Sequence, residues 1–283
     1  MRGDYSRRTF DPQKHYSGVL MQQGRVQTDA DFNEQSDIAM YRMETEVKDF
    51  VGQSGVPEDN PGFGIGTDQD GATVTIGPGR CYVEGMLMEN EAGIDFAAQK
   101  DMPSAKLPSE DGVYLAYMEA ERGHITAIED PDIREAALGN QDTAARMKNL
   151  WRVKMLKLAA PPDDDKKASF KPGTGWNPEK ETKKSGDLPL SAGFVKAKVT
   201  KDNAKDLGNQ LYRIEIHNPG PAGEATFKWS RDNGAVGAEV TAVHDKTITV
   251  NYIGRGTEAG FAANDLIEIT NDRLESEGKP GIL

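Results

Sequence analysis

Residues 16–52, YSGVLMQQGRVQTDADFNEQSDIAMYRMETEVKDFVG, contain the longest helical pattern in the chain and decide its fold class. Residues 16–22 have the apolar character of a short strand, and Gly24 suits a turn. From about residue 30 to residue 50 the pattern predicts a helix that ends near Gly52. We therefore expect a rigid strand–turn–helix unit at the start of the chain, followed by structure of a different kind.

The apolar positions of the predicted helix follow the spacing of a coiled-coil seam. Four of them are three, four and three residues apart, and we take them as the predicted interface: Met40, Met43, Val47 and Phe50. One interpretation is a helix that packs on its own domain, and the other is a short oligomeric bundle. Because fewer than three heptads are present, the sequence leaves both interpretations open.

The rest of the chain has the pattern of β-structure. Its apolar alternations are short and are broken by turn residues, in keeping with 30 Gly and 15 Pro among 283 residues. We therefore predict a mainly β chain with one N-terminal α-helix, of the α+β class. Its strands are expected to form two β-rich modules, sandwich or barrel-like, joined by a polar loop.

Composition divides the chain into four parts. Residues 1–56 form an N-terminal attachment segment with the strand–turn–helix, and residues 57–160 form a first β-rich module. Residues 161–189 are rich in charge, proline and glycine, which is typical of a linker or mobile loop. Residues 190–283 form a second β module. Because Leu283 follows directly on a predicted strand and turn, we expect a longer parent protein or an unusually abrupt end.

Individual strands can be predicted from the alternation. Residues 112–128 indicate two strands that meet near Arg122, residues 129–147 a helical or looped insertion, and residues 149–159 a further strand. The second module shows six such runs: residues 193–200, 209–218, 225–234, 238–245, 246–254 and 265–272.

Charge and cysteine content argue against several classes of protein. The net charge of −12 gives an acidic surface that repels phosphate backbones, so we expect no nucleic-acid partner. A single cysteine, Cys81, excludes an intrachain disulfide and a multi-cysteine zinc site, in keeping with a reducing compartment. We find no signal-peptide pattern and no apolar run of about 20 residues, so we expect no membrane insertion.

The sequence shows no catalytic, metal-binding or cofactor-binding motif. Its histidines are far apart, and it has neither a nucleophile elbow nor a phosphate-binding loop. Glu119 and Glu121 face the same side of a predicted strand, but an acidic chain produces such pairs freely. We expect them to form structural salt bridges with one of four arginines: Arg122, Arg134, Arg146 or Arg152. We therefore predict a protein that is not an enzyme and uses no cofactor.

The tryptophans raise another possibility, a carbohydrate-binding β module. The candidates are Trp151, Trp176 and Trp229. Trp229 is the clearest, because the polar residues that follow it can hydrogen-bond a sugar: Arg231, Asp232 and Asn233. The competing interpretation, which the sequence favours, is a β-turn at residues 232–234 with Trp229 packed in the core.

Four blocks of sequence resemble an uncharacterised family of proteins linked to contractile injection systems and phage-tail-like particles. The first is GDYSRRTFDPQKHYSGVLMQQGRVQTDADFNEQ at residues 3–35. The second is GVYLAYMEAERGHITAIEDPDIREAALGNQDTAARMKNLWRVKML at residues 112–156. The others are FKWSRDNGAV at residues 227–236 and DLIEITNDRLESEGKPG at residues 265–281. The blocks occur in the order found in that family and span nearly the whole chain.

The resemblance implies a non-enzymatic component of a phage-tail-like contractile injection particle. Such a protein would dock through its N-terminal strand–turn–helix and contribute to the baseplate, spike or fibre. The expected partners are other particle proteins, with a homotrimer as the first expectation by analogy. The protein would be made in the bacterial cytoplasm without a signal peptide and incorporated in a particle that can be released. The alternatives are a cargo or effector protein in the tube lumen and the carbohydrate-binding module.

Overall fold

The computed structural model describes residues 3–5, 8–67, 73–103, 105–110, 112–158, 211–221, 223–251, 254–255 and 259–283. The fold is mainly β, with several small sheets and one main helix near the N-terminus, which confirms the predicted α+β class. The predicted linker at residues 161–189 and the predicted strand at residues 193–200 lie outside the described residues.

The main helix, α1, spans Asp29–Val51. Thr28 caps it, since its side chain accepts a hydrogen bond from the backbone N–H of Asp31 while the Asp31 carboxylate accepts one from the backbone N–H of Thr28. Gly52 ends it with a φ of 90°, a left-handed value that favours glycine. These local signals explain why the helix begins and ends within about a residue of its predicted limits.

Residues 16–22 do not form the predicted strand. They have no regular secondary structure and are mostly exposed, and the turn predicted at Gly24 follows them with a φ of 71° at that glycine. One polar contact ties the segment to the helix, from the backbone N–H of Val19 to the Gln35 side-chain oxygen at 2.8 Å. The prediction was wrong because a strand needs a neighbouring strand for its backbone hydrogen bonds, and no described strand lies beside this segment.

Two small antiparallel sheets follow the helix. The first has the order β1–β4–β5, from Ser54–Gly55, Gly79–Val83 and Met86–Asn90. The second has the order β2–β3–β6, from Ile65–Thr67, Val74–Ile76 and Ile94–Asp95.

A long hairpin completes the first module. Its strands β7 (Tyr114–Ile125) and β8 (Arg146–Lys157) pair along their full length. The strand break predicted near Arg122 is therefore wrong. Gly123 lies opposite Lys148 in unbroken register, and the Leu150 side chain fills the space where a β-carbon at Gly123 would lie, 2.4 Å from the Leu150 Cδ1. The insertion is a loop with two 3₁₀ turns, Pro131–Ile133 and Ala136–Leu138.

The described hydrophobic core joins β3 to β8. Its buried members are Val74, Ile76, Phe96, Ala105 and Val153. Two side chains of β8 fasten this hairpin to β5: Asn149 donates to the Leu87 carbonyl and the Trp151 indole donates to the Glu89 carbonyl, each at 2.9 Å. Trp151 is thus part of the structural framework.

The described part of the second module consists of two-stranded ribbons. Strands β9 (Arg213–Asn218) and β10 (Thr226–Ser230) form one, and β11 (Val240–His244) and β12 (Thr247–Val250) form another. Short strands β13 (Gly254–Arg255) and β14 (Ala259–Gly260) pair next.

No described ribbon has a third strand beside it, and the predicted sandwich or barrel arrangement of the second module stays a prediction. The strand predicted at residues 265–272 is reduced to a single bridge between Ile269 and Ile282, and a short helix, α2 (Asp272–Ser276), lies between those two residues.

Candidate functional site

Helix α1 is held on one side by the N-terminal arm, of which residues 3–5 and 8–10 are described. Arg8 pairs with Asp37 at 2.5 Å, and the Arg8 Nε donates to the other carboxylate oxygen at 3.3 Å. The Thr9 hydroxyl donates to the Glu34 carboxylate. The Phe10 ring lies 5.5 Å from the ring of Tyr41, two turns further along the helix. Asp37 is buried in this contact, so the charge-assisted pair fixes the arm to the helix.

The C-terminal half of the same side of α1 packs on the first module. Arg122 of β7 pairs with Glu44, and Lys48 pairs with Glu84 in the turn between β4 and β5. Gly85 permits the approach, because a β-carbon there would lie 2.3 Å from the Glu44 carbonyl oxygen. We call the side of α1 that makes these contacts the packed face: Glu34, Asp37, Ile38, Tyr41, Glu44 and Lys48.

The predicted interface residues lie away from the packed face. At about 100° per residue, the centre of the stripe formed by Met40, Met43, Val47 and Phe50 lies roughly 130° around the helix from the centre of the packed face. Met43 is 59% exposed and Phe50 is 88% exposed, while Met40 and Val47 are half-buried. Ala30 and Ile38 are the buried apolar residues of α1. The structure therefore places two of the four predicted residues in solvent.

Among the predicted sugar-binding residues, the structure places Trp229 differently from the interpretation that the sequence favours. Trp229 is 62% exposed, so the prediction that it packs in the core is wrong. Its ring lies 6.1 Å from that of Tyr212. Arg231 is exposed, and Asp232 begins the predicted turn, which is a 3₁₀ turn at Asp232–Gly234.

Asn233 is not available to a ligand. It is buried, and its side-chain amide donates to the Gly3 carbonyl at 3.1 Å while its own carbonyl accepts from the Gly3 N–H at 3.3 Å. Its φ of 54° is a left-handed value that asparagine tolerates. The structure therefore separates the predicted set, because Trp229 faces solvent while Asn233 anchors the start of the N-terminal arm.

A contact between Tyr5 and His124 was not predicted. The Tyr5 hydroxyl lies 2.5 Å from the His124 Nε2, and the rings meet edge to face at 5.7 Å. Burial raises the pKa of the Tyr5 hydroxyl and lowers the pKa of the His124 imidazole, so both groups are neutral near pH 7. No sequence signal joins two residues so far apart. The pair fixes the middle of the arm to β7.

The carboxylates considered for catalysis form the structural ion pairs that the sequence predicts. Arg152 has a buried side chain and pairs with Glu119 at 2.9 Å and with Glu121. Lys154 pairs with the other oxygen of Glu119 at 2.7 Å. With cations on both carboxylates, this cluster is arranged as a cross-strand ion-pair network of the β7–β8 hairpin.

The described residues offer little chemistry beyond these contacts. They contain no group of three metal-ligating side chains placed to hold an ion. A shallow depression of about 320 Å³ is lined by Arg80, Glu89 and Glu91 among others, without a histidine, cysteine or serine. Burial raises the pKa of the Cys81 thiol, which disfavours the nucleophilic thiolate. No helix in the described ranges is long and apolar enough to cross a membrane.

Comparison with known proteins gives one match. Neither the curated proteins nor the solved structures contain a chain that matches this one. The model of the family of unknown function DUF6519 matches residues 1–169, or 169 of 283 residues. This stretch includes the N-terminal arm, α1 and both strands of the β7–β8 hairpin. Because the match covers more than half of its length, the chain belongs to the DUF6519 family.

Proposed function

We propose that this protein is a non-enzymatic structural component of a phage-tail-like contractile injection particle, and that it docks through α1 and the segment before it. The observation that supports the proposal is the exposure of Met43 and Phe50 in the stripe, on a helix whose packed face is held by ion pairs. The ion pairs fix the helix to its own module and leave these two side chains available to a partner. A rigidly mounted apolar seam is suited to packing against a partner helix or groove.

The segment before the helix adds to the same surface. In residues 16–28, Leu20 is 91% exposed and Val26 is 85% exposed. Because Val19 is hydrogen-bonded to Gln35, the segment lies against the helix. Together the segment and the stripe offer more apolar area than the stripe alone, and a specific interface buries on the order of 1,000 Å² or more in total.

The kind of assembly is proposed from the sequence blocks quoted above. Their resemblance to proteins linked to contractile injection systems covers the arm, the docking segment and the β7–β8 hairpin. It supports a baseplate, spike or fibre component over a soluble enzyme. A homotrimer built on the stripe is the first arrangement to test.

The test is the double variant Met43→Glu plus Val47→Glu. Two carboxylates on the stripe cannot be buried without a large desolvation cost, so we expect loss of self-association or of particle association. The matched control is Arg42→Gln plus Thr45→Glu, which makes the same change in net charge at exposed positions of α1 off the stripe.

The readouts are solution mass by light scattering at several concentrations and stoichiometry on purified particles. The proposal predicts a fixed stoichiometry that the stripe variant loses and the control retains. Normal assembly of the stripe variant would exclude the stripe as the docking surface. Variable occupancy, lost when the tube empties, would identify a cargo protein and overturn the structural role.

The exposure of Trp229 supports a second candidate function, carbohydrate binding. The Tyr212 and Trp229 rings lie together on an exposed strand face, where a sugar ring can stack. A glycan-binding screen tests this candidate. It requires binding that Trp229→Ala abolishes and Trp151→Phe, a change within the framework, retains.

A further inference from the structure

The β9–β10 ribbon has one mainly apolar face, with Asn218 at its end. The register places Trp229 opposite Ile214 and Phe227 opposite Ile216. Tyr212 extends the same face by one position along β9. We call these five residues the ribbon face, and each is between 42% and 64% exposed. No charged residue of β9 or β10 lies on this face, but the exposed Arg231 follows β10 directly, opposite Tyr212 in the continued register.

The opposite face of the ribbon is charged and is the more buried of the two. Glu215 pairs with Arg213 at 2.5 Å and lies 3.9 Å from Lys228. Lys228 also pairs with Glu268, whose carboxylate accepts a hydrogen bond from the Gly281 N–H at 2.8 Å. The ribbon is therefore fixed to the C-terminal segment by its charged face. This reverses the usual arrangement, in which the apolar side of a strand pair faces inward.

We propose that the ribbon face packs on the same face of a second copy of this chain. Two ribbons stacked in this way form a small two-layer sandwich, with apolar side chains interdigitated between the sheets. Such packing would also stabilise a ribbon that has no third strand among the described residues, since a two-stranded ribbon alone is marginal in water. This surface is separate from the stripe on α1, so the inference does not depend on the proposed docking function, and it competes with carbohydrate binding for Tyr212 and Trp229.

Charge supports a second copy as the occupant. Two copies of a chain with a net charge of −12 repel each other across most of their surface. A face without charges is where that repulsion is least and where desolvation costs least. A nucleic acid or an acidic peptide would find a single cation, Arg231, at the end of the ribbon face and would be repelled by the net charge of −12, so those partners are disfavoured.

The exposed area fits a dimer. With about 150–250 Å² for each large aromatic side chain, and the exposed fractions given above, the five residues present on the order of 500–600 Å² per chain. Two copies would bury about 1,000–1,200 Å², which reaches the lower limit for a specific interface. The area per chain lies at the upper end of the roughly 300–600 Å² covered by the largest apolar patch of a typical monomer, and such patches are often functional. We therefore expect a reversible dimer whose population depends on protein concentration.

The experiment is sedimentation velocity of the full chain over a hundredfold range of concentration. We expect the dimer fraction to fall at least tenfold in Phe227→Glu and to persist in Trp229→Phe, which preserves an aromatic anchor. The control is Val243→Glu, which adds the same charge to a strand residue of the neighbouring ribbon that is 69% exposed. Circular dichroism shows whether each variant is folded.

The stripe variant separates this inference from the proposed function. If the ribbon face forms the dimer, Met43→Glu plus Val47→Glu dimerises as the unaltered chain does. A monomer at every concentration would overturn the inference, as would equal loss of the dimer in Phe227→Glu and Val243→Glu. A second, independent signal is the emission of Trp229, which we expect to shift to shorter wavelength as the dimer forms.

Discussion

Replacing Gln99 tests how the first module is held together. The side chain is 2% exposed and joins the loop after β6 to the outer edge of β8. Its oxygen accepts from the Val153 N–H at 2.6 Å, and its amide nitrogen donates to the Val153 carbonyl at 3.0 Å and to the Phe96 carbonyl at 2.9 Å. The amide thus takes the place of a neighbouring strand for one residue of β8.

Gln99→Met keeps the length of the side chain and removes all three hydrogen bonds. At about 1 kcal/mol for each net hydrogen bond, we expect a loss of about 3 kcal/mol in the free energy of unfolding. This is a large part of the roughly 5–15 kcal/mol that stabilises a typical domain. Urea denaturation followed by circular dichroism measures the loss, and Gln22→Met, at an exposed position, is expected to change stability by less than about 0.5 kcal/mol.

Hydrogen exchange at Val153 gives a direct readout of the same contact. A loss of about 3 kcal/mol corresponds to roughly 100-fold faster exchange of that amide, since about 1.4 kcal/mol is a factor of ten. If Gln99→Met lowers stability by less than about 1 kcal/mol and leaves the exchange of Val153 unchanged, then the Gln99 amide is not what satisfies this strand edge, and the reasoning is refuted.

Gln99→Glu extends the test to pH. A carboxylate there faces two carbonyl oxygens and no longer has a proton to donate, so its pKa in the folded protein must rise above the unfolded value of about 4.3. The folded state then binds more protons than the unfolded state, and stability falls as pH rises through the folded pKa. We expect this variant to be closer to the unaltered protein at pH 5 than at pH 7, and equal losses at both values would contradict the geometry.

Two further contacts give sharp predictions. Gly85 has a φ of 84°, and Gly85→Ala places a β-carbon 2.3 Å from the Glu44 carbonyl oxygen. We therefore expect α1 to shift and the free energy of unfolding to fall by more than about 2 kcal/mol. Gly139→Ala is the matched control, because Gly139 has a similar φ of 76° with open space around it, and we expect a cost of about 1 kcal/mol. Burial lowers the pKa of His124, so the folded state binds fewer protons than the unfolded state between the two pKa values, and stability falls as pH drops through about 6.5. We expect the amides of Tyr5 and its described neighbours, compared with their intrinsic exchange rates, to be less protected at pH 5 than at pH 7 in the unaltered protein but not in His124→Gln. Identical pH dependence of protection in both proteins would exclude His124 as the titrating group.

The most predictable parts of the fold were those set by local sequence signals or by strand alternation within one hairpin. The bounds of α1 follow from its cap at Thr28 and its glycine at position 52, both readable in the sequence. The pairing of Glu119 with an arginine also follows, because cross-strand charges meet in a hairpin. Gly123 misled the strand prediction, since the sequence does not show that Leu150 and a full ladder support it.

The candidate surfaces were harder to predict. Alternation in β9 and β10 separates an apolar face from a charged one, but it does not tell which face turns inward. That choice depends on Glu268, far along the chain, which holds Lys228. The spacing of the stripe identified its four residues, yet the same spacing fits a buried helix. Only the packed face, set by Arg8 and Arg122, shows which side of α1 remains exposed.

The contacts of the N-terminal arm can form only in a fixed order while the chain is synthesised. Arg8 can pair with Asp37 soon after α1 leaves the ribosome, whereas Gly3 must await Asn233, 230 residues later. At about 5–20 residues per second, that delay is roughly 10–50 s. During synthesis the first residues are therefore tethered at one point and loose at the other. The fold closes only when a late piece of the chain reaches back to an early one.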